Sequence, residues 1–122
     1  AGARRSYPLV GDSTGGIQTE TAAMAQWIIG ESFFHQKQYQ EAIRSFLRVD
    51  ILYPYPQWKA YALLQAGKCY EKLGNWREAI ELYARILKEY PQTTVTEEAS
   101  QRLRITSLGG KQKNSGRRSS TR

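Results

Sequence analysis

From about residue 19 to residue 108, apolar side chains recur every three or four positions and do not alternate. Between Tyr39 and Val49 the apolar set is Tyr39, Ala42, Ile43, Phe46, Leu47 and Val49. Between Trp76 and Tyr90 it is Trp76, Ala79, Ile80, Leu82, Tyr83, Ile86, Leu87 and Tyr90. On a helix each set forms one stripe that needs a partner surface. The spacing predicts five helices, at about 19–36, 39–52, 57–73, 76–89 and 95–107. Gly74-Asn75 is a helix stop, and Tyr53-Pro54 and Tyr90-Pro91 end two further helices.

The helices repeat. A shift of 37 residues places Gly30 on Gly67, Phe33 on Tyr70, Tyr39 on Trp76 and Ala42 on Ala79. Phe46 then falls on Tyr83, and Pro54 on Pro91. A helix pair of this size cannot bury its apolar face alone, so the units are expected to stack as an all-α helical-repeat solenoid. The small residues have a packing reason: Gly67 and Ala79 let the two helices of a unit approach closely.

The unit resembles a tetratricopeptide repeat, on Leu63, Ala66-Gly67, Tyr70, Trp76, Ala79, Tyr83, Ile86 and Pro91 in the second copy. In the first copy the matching residues are Ile29-Gly30, Phe33, Tyr39, Ala42, Phe46, Val49 and Pro54. The extra residues of the period fall at Tyr55-Pro56-Gln57-Trp58-Lys59, and each unit ends in Tyr-Pro. In these two respects the chain is similar to bacterial cell-envelope repeat proteins of the Tol-Pal accessory and outer-membrane assembly lipoprotein type. That likeness alone implies an envelope or periplasmic location. The expected organisation is a disordered linker over 1–18, a helical domain over 19–108 and a disordered basic tail over 109–122. Within the domain the units span about 23–56 and 60–93, and a polar end helix at about 95–107 solvates the stack. Two and a half units read as the C-terminal part of a longer array.

Composition sharpens this picture. At 122 residues and 40% hydrophobic, the chain holds one domain with a core, which excludes a multidomain enzyme and wholesale disorder. The formal charge of +7 invites a nucleic-acid reading. Residues 20–98, however, carry nine basic and ten acidic side chains, whereas residues 99–122 carry seven basic and none acidic. The domain is nearly neutral and the excess belongs to the end. That end lacks the interleaved aromatics of base stacking, so no specific nucleic-acid recognition is expected, only weak salt-dependent contact with anionic surfaces.

The resemblance implies that partners bind on a concave face lined by the first helix of each unit. The candidate residues there are Met24, Trp27, Ile28, Glu31, Phe34 and His35, then Tyr61, Leu64, Gln65, Lys68, Glu71 and Lys72. The end helix adds Glu98, Gln101 and Arg102. The family's clamp for a C-terminal carboxylate is not expected, because Trp27 and Glu31 occupy its first-unit positions and Glu31 repels an anion. An apolar partner segment, or self-association, fits better.

Nothing points to chemistry. The Gly11-Asp12-Ser13 and Gly15-Gly16 stretch lacks the partner residues of a hydrolase elbow or a phosphate loop. His35 is read as exposed, and Cys69 as a buried inert thiol. No catalytic residue, metal ligand or cofactor is expected. The predicted function is a protein-interaction scaffold, the alternative an electrostatic tether through residues 109–122.

Overall fold

Thr19 starts the first helix. In the computed structural model, which describes residues 19–121 and the side chains of residues 19–109, the Thr19 hydroxyl accepts a 3.1 Å hydrogen bond from the Ala22 amide. This satisfies one of the donors that a helix start leaves open. Helix α1 (Glu20–His35) is followed by α2 (Tyr39–Leu52), α3 (Pro56–Lys72), α4 (Trp76–Glu89) and α5 (Thr96–Thr121). No strand occurs among the described residues, and the chain is an all-α helical-repeat solenoid. The linker expected over 1–18 lies outside the described residues.

Both units turn between their helices in the same way. The Asn75 amide donates to the Tyr70 carbonyl at 2.8 Å and the Gly74 amide to the Glu71 carbonyl at 3.0 Å. One unit earlier, Gln38 donates to Phe33 at 2.9 Å and Lys37 to Phe34 at 3.0 Å. These paired bonds satisfy carbonyls at the helix end, and they require a left-handed residue just past it. Gly74 adopts φ 79° there, and Lys37 is forced to φ 62°. Glycine does so freely, whereas lysine carries a Cβ that crowds the following carbonyl.

Each helix packs on the next one in sequence, and α1, α3 and α5 also touch along one side. Within a unit the approach is close. A Cβ on Gly30 would lie 2.6 Å from the Phe46 ring, and one on Gly67 would lie 2.5 Å from the Tyr83 ring. Phe46, Tyr83, Ala42 and Ala79 are fully buried. Helix α3 is apolar on two sides. Ala62, Ala66 and Cys69 join the cluster that holds Ile43, Phe46 and Val49 of α2. Ala60, Leu63 and Leu64 join the cluster that holds Ala79, Tyr83 and Ile86 of α4 and Val95 and Ala99.

The residues that lengthen the period fasten one unit to its neighbour. Pro56 opens α3, where its missing amide hydrogen costs nothing. Trp58 donates its indole hydrogen to Glu20 at 3.0 Å. The Thr94 amide donates to Gln57 at 3.3 Å. Lys59 caps the end of α2, donating to the carbonyls of Asp50 and, at 3.0 Å, Tyr53.

Two features depart from the pattern-based expectation. Helix α5 does not stop near residue 107; it continues through the segment read as a disordered tail, to Thr121. No proline follows Pro91, and a glycine inside a helix costs only about 1 kcal/mol relative to alanine, so Gly109-Gly110 does not enforce an end. The other feature is that α1 leaves Ile29 47% exposed, although its register partner Ala66 is fully buried beneath α2.

Two substitutions test this packing by urea denaturation. Gly67→Ala should lower stability by about 2 kcal/mol or more, because the buried Tyr83 ring has nowhere to move. Lys37→Gly should raise stability by about 0.5 kcal/mol, the relief of the left-handed strain less the added freedom of an unfolded glycine.

Candidate partner-binding face

The side on which α1, α3 and α5 meet is crossed by polar bridges. Gln65 of α3 donates to Glu31 of α1, whose other oxygen lies 3.4 Å from His35 Nε2. Lys68 of α3 lies 2.7 Å from Glu98 of α5. Glu71 of α3 is the centre of the strongest bridge. It accepts from Arg102 Nη2 at 2.5 Å and Nε at 3.3 Å, from the Thr106 hydroxyl at 3.0 Å and from the Tyr83 hydroxyl at 2.5 Å.

Burial, and then the bond to Glu71, push the Tyr83 hydroxyl far above its ordinary range, so it remains a donor. Burial, the largest single influence, would lower Arg102, but the bonds to Glu71 and Tyr83 and the charges beside it together raise this guanidinium. Helix α5 is thus tied to α3 by a carboxylate with four donors.

Lys68, Glu71 and Arg102 of these bridges line, with Phe34, Lys72 and Trp76, an open groove of about 430 Å³. Phe34 is half-buried, edge-on to Tyr39 at 5.7 Å between centroids. Lys72 is exposed at the end of α3. A smaller groove of about 170 Å³ near the start of α1 is lined by Glu20, Thr21, Met24 and Trp58.

The structure sorts the candidate residues of this face. Phe34, Lys68, Glu71, Lys72 and Arg102 converge on the larger groove, and Met24 borders the smaller one. Ile28 is exposed, as are His35, Glu98 and Gln101, while Glu31 and Gln65 serve as a bridge. Leu64 lies on this side but is covered: it is 3% exposed, in the cluster that holds Val95 and Ala99 at the start of α5. Trp27 is half-buried, with its ring engaged inside the stack. Its ring packs 5.8 Å from Trp58, 6.2 Å from Tyr61 and 6.5 Å from Phe46, closing the seam between units. Its indole nitrogen is buried without an acceptor.

Cys69 is fully buried, and burial, with the charge of Glu31 adding to it, pushes its thiol up to about 12. No group of three His, Cys, Asp or Glu side chains able to hold a metal ion occurs among the described residues. No helix among them is long and apolar enough to cross a membrane.

Sequence reasoning missed Asp50, a carboxylate 7% exposed at the junction of the units. It accepts from Arg85 and from the Tyr90 hydroxyl at 2.9 Å, with Lys59 3.7 Å away. Burial first, then this bond, push the Tyr90 hydroxyl up to about 12. The signal was present in the register. Asp50 stands where the other unit has Leu87, just as Glu71 stands where the other unit has Phe34. A charge in an apolar slot of a repeat calls for a buried partner.

Residues 18–55 match one tetratricopeptide repeat family model and residues 61–93 match a second, together more than half of the chain. No curated protein matches it. Both models describe the repeat in general, and neither supports the narrower likeness to cell-envelope proteins.

The raised thiol and phenols set a dependence on pH. In the unfolded chain Cys69 ionises near 9.0, and in the fold near 12, so between these values only the unfolded state releases the proton. Stability should therefore be complete below pH 9, fall as pH rises through that window, and fall further above 10 as unfolded Tyr83 and Tyr90 ionise. Urea midpoints between about pH 8 and 11 should show this decline, and Cys69→Ala should delay its onset to about pH 10.

Proposed function

Because the chain belongs to the tetratricopeptide repeat family, we propose that it is an interaction scaffold that holds a segment of a partner protein against the face formed by α1, α3 and α5. Repeats of this family generally mediate protein–protein contacts. The observation that carries the reading for this chain is the 430 Å³ groove, in which α1, α3, α4 and α5 each place a side chain.

Its surroundings favour the same reading. Ile105 and Leu108 are 58% and 64% exposed and stand at the register positions of Lys68 and Glu71. Ile28, 51% exposed, stands at the register position of Gln65. A groove with a polar floor and exposed aliphatic margins suits a mixed peptide segment, which such margins desolvate while the floor fixes its register. Two large side chains expected to bind, Trp27 and Leu64, act within the stack, so affinity rests on these margins and on Lys72.

A second reading is favoured by one observation: residues 99–122 carry seven basic side chains and no acid. Such a stretch would tether the domain to a polyanion in a strongly salt-dependent way. Removal of residues 110–122 would then abolish retention on an anionic matrix at low salt.

The scaffold reading is tested by immobilising the protein and identifying what it captures. Ile28→Asp combined with Lys72→Glu should abolish capture without loss of helicity by circular dichroism. Ile51→Asp, on a 73%-exposed residue of α2, should leave capture unchanged. Capture that follows Ile51 and ignores Ile28 and Lys72 would place the interface on the other side of the stack.

A further inference from the structure

The two ends of the stack differ. In α3, Ala62, Ala66 and Cys69 are fully buried against α2 of the preceding unit. Their register partners on α1 are Ala25, Ile29 and Ser32, and all three are exposed. With Ala22 and Gln36 they form a stripe along one side of α1, at alternating spacings of three and four residues. No charged side chain stands between Glu20 and Glu31, so the middle of this side is uncharged. At the other end of the stack, α5 carries Glu97, Ser100, Arg104 and Ser107 at the register positions of Ala60, Leu63, Gly67 and Tyr70. That surface is polar and suits water; the α1 stripe does not.

The 37-residue offset assigns the helix that would cover the stripe to residues 2–15. There the positions of Ala42, Phe46 and Val49 fall on Arg5, Leu9 and Asp12, and Pro8, Gly11 and Gly15 interrupt the apolar period. The sequence pattern that buries α3 is therefore missing ahead of α1. A second copy of the stripe fits it instead. Set antiparallel across a two-fold axis near Ile29, the stripe meets itself, with Ile29 against Ile29 and Ala25 level with Ser32. The ends then complement one another in charge. Glu20, in the first turn of α1, comes level with Lys37, just past the last turn. Both are exposed, and Lys37 forms no ion pair among the described residues. A parallel arrangement would set Glu20 against Glu20 and Lys37 against Lys37, and would align the helix dipoles unfavourably.

From this arrangement we propose that the chain forms a two-fold homodimer through α1, with Ala25, Ile29 and Ser32 at its centre and Glu20–Lys37 pairs at its ends. A contact of this symmetry closes on two copies and does not continue into a filament. The stripe is one helix wide, so the interface is small and the dissociation constant is on the order of 10 μM. The dimer is independent of the scaffold reading, because the stripe contributes none of the residues that line the larger groove.

The test is sedimentation velocity of the full chain over about 1 to 500 μM at physiological salt, across which monomer should give way to dimer. Ile29→Asp, which leaves a carboxylate in the seam, should weaken dimerisation about tenfold or more, with helicity by circular dichroism unchanged. Ile51→Asp, on a 73%-exposed residue of α2, should leave dimerisation unchanged. Lys37→Glu sets two acids level at each end and should weaken the dimer about fivefold. Adding Glu20→Lys to it should restore the original constant, because the pairs are then reversed and not lost.

A chain that stays monomeric throughout this range overturns the inference, as does a dimer that ignores Ile29→Asp. A dimer that depends on Ile29 but is not rescued in the double variant overturns the antiparallel arrangement. A monomer whose Ile29 methyl resonance moves on Leu9→Asp overturns the dimer in favour of residues 1–18 as the occupant of the stripe.

Discussion

Two aromatic rings resting on two glycines determine how close the helices of each unit can come. Phe46 occupies the space where a Cβ on Gly30 would be, and Tyr83 does the same over Gly67. The consequence extends beyond packing, because the two rings differ by one hydroxyl. In the first unit the ring is a Phe and the residue at the neighbouring register position is Phe34. In the second the ring is a Tyr and that position is Glu71. The hydroxyl and the acid arrive together, bond at 2.5 Å, and bring Arg102 and Thr106 of α5 to the same carboxylate. Close packing inside the second unit therefore positions the group that holds the end helix and floors the groove.

Two carboxylates join the units, and both are largely removed from water. Asp50 gathers Arg85, Tyr90 and Lys59 where the units meet, and Glu71 gathers its four donors where α5 meets α3. Each sets a largely buried carboxylate against a partly exposed cation, so breaking one costs more than the fraction of 1 kcal/mol of an exposed pair such as Glu41 with Arg44. These two sites, and not the surface charges, fix how one unit stands on the next. With Trp58 on Glu20 and Gln57 on Thr94, they also give the long period its structural role.

The fold was legible because the 37-residue offset superposes Gly, Ala, aromatic and Pro positions, each with a packing reason that needs no tertiary information. Four of the five helices begin and end within one or two residues of where periodicity placed them. The face was less legible, because periodicity identifies one side of a helix but not what covers it. Leu64 and Trp27 lie on the expected side, yet α5 covers the first and Trp58 and Tyr61 cover the second. Lys37 gives no composition signal for a left-handed turn; only its offset from Gly74 does. Asp50 was likewise visible only as a charge in a slot that the other unit fills with Leu87, and the bridging role of Glu71 only as a charge in the slot of Phe34. The extent of α5 could not be read from composition, since an absence of apolar residues weakens a helix without ending it.

The net charge of the chain says little about this face, whose domain is close to neutral. What distinguishes the face is local: an exposed Lys72 at the mouth of a groove with two aromatic walls, bordered by exposed Ile28 and Ile105. Isoleucine methyl resonances report on this directly, because the described isoleucines occur on both sides of the stack. Addition of a captured partner should shift Ile28 and Ile105 and leave Ile51 unmoved. Shifts confined to Ile51, with Ile28 and Ile105 unchanged, would contradict the account.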